Sequence, residues 1–154
     1  MKILKQFPVL ITLIILTISL SGYGQNEKKC GSPYKNLKQI KTMNELDYPF
    51  TLHKVKLDSG PEIAYTDEGK GDQTIICIRG LGSYLLGWKK NIEGLKSSYR
   101  IIAIDLPGYG KSSKTPHSGL MSYYASVVKE FIDKLELKNV TLAGHSMSGQ
   151  ISMV

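Results

Sequence analysis

From Phe50 onward the apolar and polar positions of the chain fall into readable periods. FTLHKVKLD (50–58) alternates as a half-exposed strand does, SGP (59–61) is a turn, and EIAYTDEG (62–69) continues as a second strand of a hairpin. After the turn GKGD (69–72), QTIICIRG (73–80) is a continuous apolar run, the mark of a strand buried on both faces. WKKNIEGLKSS (88–98) carries Trp88, Ile92 and Leu95 on one side of a short helix, and YRIIAIDLPGYG (99–110) is a second fully apolar strand ending in a Pro/Gly turn. SYYASVVKEFIDKLEL (122–137) places Tyr124, Val127, Val128, Phe131, Ile132 and Leu135 at helical spacing, and NVTLAG (139–144) reads as a third buried strand. Two edge-type strands followed by strand, helix, strand, helix, strand predict an α/β protein with a largely parallel sheet and helices packed on it.

The stretch before Phe50 lacks this patterning. Lys2 and Lys5 precede an apolar run from Phe7 to Leu20, and Gly22 and Gly24 stand where a leader is cut, so residues 1–24 have the layout of an export signal cleaved before Gln25. The alternative is a membrane anchor through residues 7–20, a run of 14 residues against the about 20 that a spanning helix needs. The first reading places the protein in the periplasm or outside the cell, the second on a membrane. Residues 25–48 are polar and lysine-rich and read as a tether, with the folded domain expected over 49–154.

The formal charge of +7 falls to +5 once Lys2 and Lys5 are cut away. The remaining lysines are scattered without interleaved aromatics, which describes a solvated surface and argues against nucleic acid as a partner. Of the two cysteines, Cys30 lies in the polar tail and Cys77 inside an apolar strand, so a small core residue is the default for Cys77. No spacing indicates a metal, and no cofactor is implied.

Chemistry on a parallel sheet collects at the carboxyl ends of the strands. Here those ends are Arg79-Gly80-Leu81-Gly82, Asp105-Leu106-Pro107-Gly108 and Gly144-His145-Ser146. A serine on a sharp strand-to-helix turn presents its hydroxyl at the sheet edge, and the crowding of that turn demands small residues two before and two after it. Gly144 and Ser148 meet that demand around Ser146. Taken alone, a serine in a plain loop is the simpler reading. The Gly-rich IRGLGS (78–83) adds a loop whose Leu81 N–H, together with the Met147 N–H, can form an oxyanion hole. Taken alone, those glycines only make a turn.

RGLGSYLLGW, DLPGYGKS and GHSMSG, in this order and on these strand ends, resemble the N-terminal half of an α/β-hydrolase fold protein. The likeness is best to the serine esterases, lipases and related small-molecule hydrolases, and it covers roughly residues 45–154. It implies that Ser146 is the nucleophile, that the backbone at Leu81 and Met147 holds the oxyanion, that Asp105 is structural, and that the substrate is a small ester-like molecule. A serine at the elbow also sets the chain apart from the branches that attack with aspartate. Two positions depart from the pattern. Arg79 stands where the family usually has His, and Ser148 where it usually has Gly, which is expected to add strain to the turn.

In that family the acid and the histidine follow the serine along the chain. The sequence stops at Val154, and about five of the family's roughly eight strands are in it, so it reads as a front half truncated after the elbow and inactive alone. Ordinary surface or packing roles are the default for His53, His117 and His145. PGYGKSS is a near-miss to a phosphate-binding loop, since Asp105 stands where that motif needs its first glycine. A hydrolase-like protein without activity is the remaining alternative.

Overall fold

The computed structural model describes Thr42 and residues 45–154, which belong to a unit running from Ile40 to Val154. The leader or anchor expected over residues 1–24, and most of the tether, lie outside the described residues. Among the described residues no helix is long and apolar enough to cross a membrane.

The chain forms β1 (His53–Lys56), β2 (Glu62–Glu68), β3 (Thr74–Ile78), a 3-10 helix (Leu85–Trp88), α1 (Lys89–Leu95), β4 (Arg100–Ile104), α2 (Met121–Lys134), β5 (Val140–Gly144) and α3 (Met147–Ile151). The five strands make one mixed sheet in the order β1-β2-β4-β3-β5. β3 is parallel to both β4 and β5, while β2 is antiparallel to both β1 and β4. β2 is therefore an interior strand rather than an edge, and the Arg100 guanidinium clasps both Asp67 carboxylate oxygens across its pairing with β4, at 3.0 and 2.6 Å.

Alternation along the central strands divides the core in two, as strand geometry requires. Ile76, Ile78, Ile102 and Ile104 face α2 and α3 and pack with Tyr124, Val127, Val128, Phe131 and Ile151. Cys77, Ile101 and Ala103 face the other way, toward Leu85 and Ile92. The β3–β4 connection thus covers one face and the β4–β5 connection the opposite one. Each fully buried isoleucine contributes about 1.5–3 kcal/mol, so these uninterrupted apolar runs are what make β3 and β4 central.

Two details complete the arrangement. β5 is only half-buried, because it pairs with β3 alone among the described residues. Its apolar sequence is that of an interior strand, and among the described residues one side of it is unpaired, as expected of a central strand cut off from its neighbour. The packed chain also begins before residue 49. Tyr48, Phe50 and Leu52 lie on the α1 face, and the Tyr48 hydroxyl donates to Asp105 at 2.9 Å.

Candidate active site

The register sets Ile78 opposite both Ile104 and Gly144, so the carboxyl ends of β3, β4 and β5 lie level along one edge of the sheet. Directly beyond β5, Ser146 adopts φ 59° and ψ −123°, with its side chain exposed and α3 starting at the next residue. A non-glycine residue in such a conformation costs about 1–3 kcal/mol and persists only when its surroundings hold it there. Three groups do so. The Gly149 N–H donates to Ser146 O at 2.9 Å. A Cβ on Gly144 would stand 2.3 Å from the Ser148 carbonyl, so only glycine lets the turn close. Ser148 is fully buried, and its Oγ accepts from the His145 N–H at 2.7 Å while donating to Ile78 O at 2.5 Å. Ser148 therefore adds bonds to the turn, because its hydroxyl bridges two backbone groups, the His145 N–H and the Ile78 carbonyl, that otherwise share only a direct bond of 3.3 Å.

Gly80 presses against this turn. A Cβ there would meet the His145 carbonyl at 2.7 Å, the Ser146 Cβ at 3.0 Å and the Met147 N at 3.2 Å. The loop after β3 is thereby held at the serine, with a Ser83 N–H to Gly80 O bond (3.2 Å) closing a tight turn around the exposed Leu81. Among the described residues neither the Leu81 nor the Met147 N–H has a hydrogen-bond acceptor. These two donors follow, in sequence, the residues that meet at this contact: Leu81 follows Gly80 and Met147 follows Ser146.

Arg79 turns away from the serine to the other side of its loop. Its Nε–H donates to Ser83 Oγ at 3.3 Å, its guanidinium carbon lies 5.6 Å from the Trp88 ring centre, and its side chain covers the Gly87 backbone so closely that a Cβ there would meet Nε at 2.5 Å.

At the end of β4, Asp105 is fully buried. Its carboxylate accepts from the Leu85 N–H (2.7 Å), the Lys111 N–H (2.8 Å) and the Tyr48 hydroxyl (2.9 Å). Its carbonyl accepts from Ser112 Oγ, which in turn accepts from the Ala64 N–H. Burial, and then the Asp105 charge, push the Tyr48 hydroxyl well above the usual tyrosine range, so it remains a donor.

Comparison with known proteins matches residues 73–154, more than half of the chain, to the alpha/beta hydrolase fold family. The chain belongs to the α/β-hydrolase fold family. This α/β-hydrolase chain is 38% identical over 96 residues to a 2-hydroxy-6-oxononadienedioate/2-hydroxy-6-oxononatrienedioate hydrolase of Escherichia coli O81 (strain ED1a), covering 59% of the chain and 33% of that enzyme. It spans about a third of the length of the curated relatives it matches. Among solved structures, a bacterial membrane phospholipase A described as a virulence factor superposes with a TM-score of 0.59 at 33% identity, covering 63% of this chain and 32% of that one. Epoxide hydrolases from metagenomes of hot environments reach a TM-score of 0.64 at 27% identity, covering 68% and 36%.

Among the described residues none of the histidines of this α/β-hydrolase-fold chain is bonded to the serine. His53 is on β1, with three strands between it and β5, and its ring packs on Tyr65. His117 stacks on Tyr123 at 4.8 Å, and its Nδ1 accepts the Gly119 N–H at 3.1 Å. His145 is exposed beside the elbow, and among the described residues no histidine is hydrogen-bonded to Ser146. Burial pushes the Cys77 thiol up to about 11, which suits a core residue and not a nucleophile. The contacts that the residue pattern did not announce are those of Tyr48, Arg79 and Ser148. For Arg79 a signal was present, since the Gly-Trp pair in LLGW leaves room for a flat cation.

Proposed function

We propose that this protein is a serine-dependent acyl hydrolase, acting on a small ester-like substrate. The observation that carries this reading is the φ of 59° at Ser146, a strained non-glycine residue at the carboxyl edge of the sheet with the Gly80 loop packed against its Cβ. In the reaction, the Ser146 Oγ attacks the substrate carbonyl carbon and its proton passes to a base. The Leu81 and Met147 N–H groups hold the oxygen that becomes negative, donors of a kind worth about 2.7–4 kcal/mol each in related chemistry. Collapse expels the protonated leaving group, and water then releases the acyl group from Ser146. None of His53, His117 and His145 is the base in this proposal, which assigns base and acid to residues outside 45–154. The basic start and apolar run of residues 1–24 support export, or anchoring through residues 7–20, as the setting.

The relatives named above act on dissimilar molecules, so the proposal stays with the carbonyl centre and does not choose an acyl group. The test is covalent labelling of the complete gene product by a fluorophosphonate probe. The expected result is one label per chain, lost in Ser146→Ala with the fold intact. A folded complete product that takes no label would overturn the proposal in favour of a hydrolase-like protein without activity.

A further inference from the structure

We propose that Arg79 is a positioning residue for the oxyanion loop, holding the Leu81 N–H in place through Ser83, Gly87 and Trp88. This rests on the reading of Ser146, Leu81 and Met147 given above. A donor aimed at a developing charge must be held to within about 0.5 Å. The loop that carries Leu81 is poorly suited to that precision by its own backbone, since it contains Gly80 and Gly82 (φ 69°). Its far end is fixed by the Leu85 N–H bond to buried Asp105, and its near end by the packing of Gly80 on the elbow. Between those points lies a tip at Leu81 and Gly82, both exposed.

Arg79 spans this gap. One side chain bonds the residue closing the tip (Ser83), lies on the backbone of Gly87 and rests on the ring of Trp88. Ser83 of the loop and Gly87 and Trp88 of the 3-10 helix that follows it are thereby tied to the last residue before the loop. A long cation with a donor on its stem does all of this: the side chain passes close against Gly87, the Nε–H reaches the hydroxyl, and the charge is attracted by the indole ring. Among the described residues Arg79 takes part in no ion pair, so its charge is not used for a carboxylate elsewhere. Gly87 admits the guanidinium where any Cβ would collide with it.

The experiment uses Arg79→Met, Arg79→Lys and Ser83→Ala in the complete gene product, with two readouts. The first is fluorophosphonate labelling, resolved into a maximal acylation rate and an apparent affinity. The second is the emission of Trp88, the one tryptophan in residues 1–154. It is followed as a difference from a Trp88→Phe control. Arg79→Met is expected to lower the maximal rate about 10–100-fold with affinity within about twofold, because one oxyanion donor is misplaced while the rest of the site stands. The Trp88 emission changes in the same variant. Arg79→Lys returns the cation to the ring and so restores most of the emission, but only part of the rate. Ser83→Ala gives a smaller loss of rate.

Adding Trp88→Phe to Arg79→Met is expected to cost little more, since both break one brace. Unchanged rate and emission in Arg79→Met would overturn the proposal. So would a loss confined to affinity, which would make Arg79 a contact to substrate. Should Arg79→Met fail to fold, the Lys and Ser83 variants carry the same two readouts. If the parent protein takes no label at all, the reading of Ser146 falls, and the Trp88 emission alone decides the brace.

Discussion

The ends of β4 and β5 lie on the same edge of the sheet and hold their polar residues in opposite ways. Asp105, at the first, is fully buried, and both of its carboxylate oxygens are occupied by donors from three separate segments. Ser146, just beyond the second, is exposed and held at a positive φ, with no hydrogen bond to its side chain among the described residues. The charged residue is saturated and the neutral one is left free. The difference separates two uses of a polar group at a strand end. A carboxylate whose bonds are all made stabilises the loops around it and has nothing left for a substrate. A hydroxyl with no partner on a strained backbone adds no such bonds to the fold, which is what the proposed role of Ser146 requires.

The comparison breaks most visibly at Asp105. Asp105→Ala leaves the Leu85 and Lys111 N–H groups and the Tyr48 hydroxyl without their acceptor, and is expected to cost about 3–5 kcal/mol in urea unfolding. A loss under about 1 kcal/mol would mean that the carboxylate is not the hub of these loops. Ser148→Ala is the intermediate case. It removes one acceptor of the His145 N–H and one donor to Ile78 O, which keep only their direct 3.3 Å bond to each other, and about 1 kcal/mol should be lost. If instead the variant is more stable, Ser148 strains the turn after all. The smallest effect has the opposite sign. Ser146→Gly relieves the positive φ but adds freedom to the unfolded chain, so a net gain of roughly 0.5 kcal/mol over Ser146→Ala is expected. Thermal unfolding of the two variants side by side would measure it, and equal stability would show that the turn at Ser146 is not strained.

Much of this arrangement can be read from residue patterns, for identifiable reasons. β3, β4 and α2 have periods dictated by burial, and these elements appear where Ile76, Ile102 and Phe131 required them. The Gly-rich strand ends are visible because backbone crowding permits few alternatives, as the contacts of Gly80 and Gly144 make explicit. What escapes the pattern depends on single long-range contacts. Tyr48 sits in a polar stretch with no period and is placed by one bond to Asp105, 57 residues away. Ser148 was read by its size alone, whereas its hydroxyl decides what it does.

The contact between Asp105 and Gly110 bears on how these positions can vary. A Cβ at residue 110 would lie 1.9 Å from an Asp105 carboxylate oxygen, and Gly110 itself has φ 46°. The carboxylate therefore occupies the space that a side chain at 110 would need. In a library of random variants the two positions would not be sampled independently. Every substitution at 110 would be purged while 105 stays aspartate, and a smaller residue at 105 would reopen the space at 110 but remove the hub that makes the space worth guarding. A double change would have to replace the network as well as fit the volume, which makes the pair a barrier between neighbouring sequences of this fold.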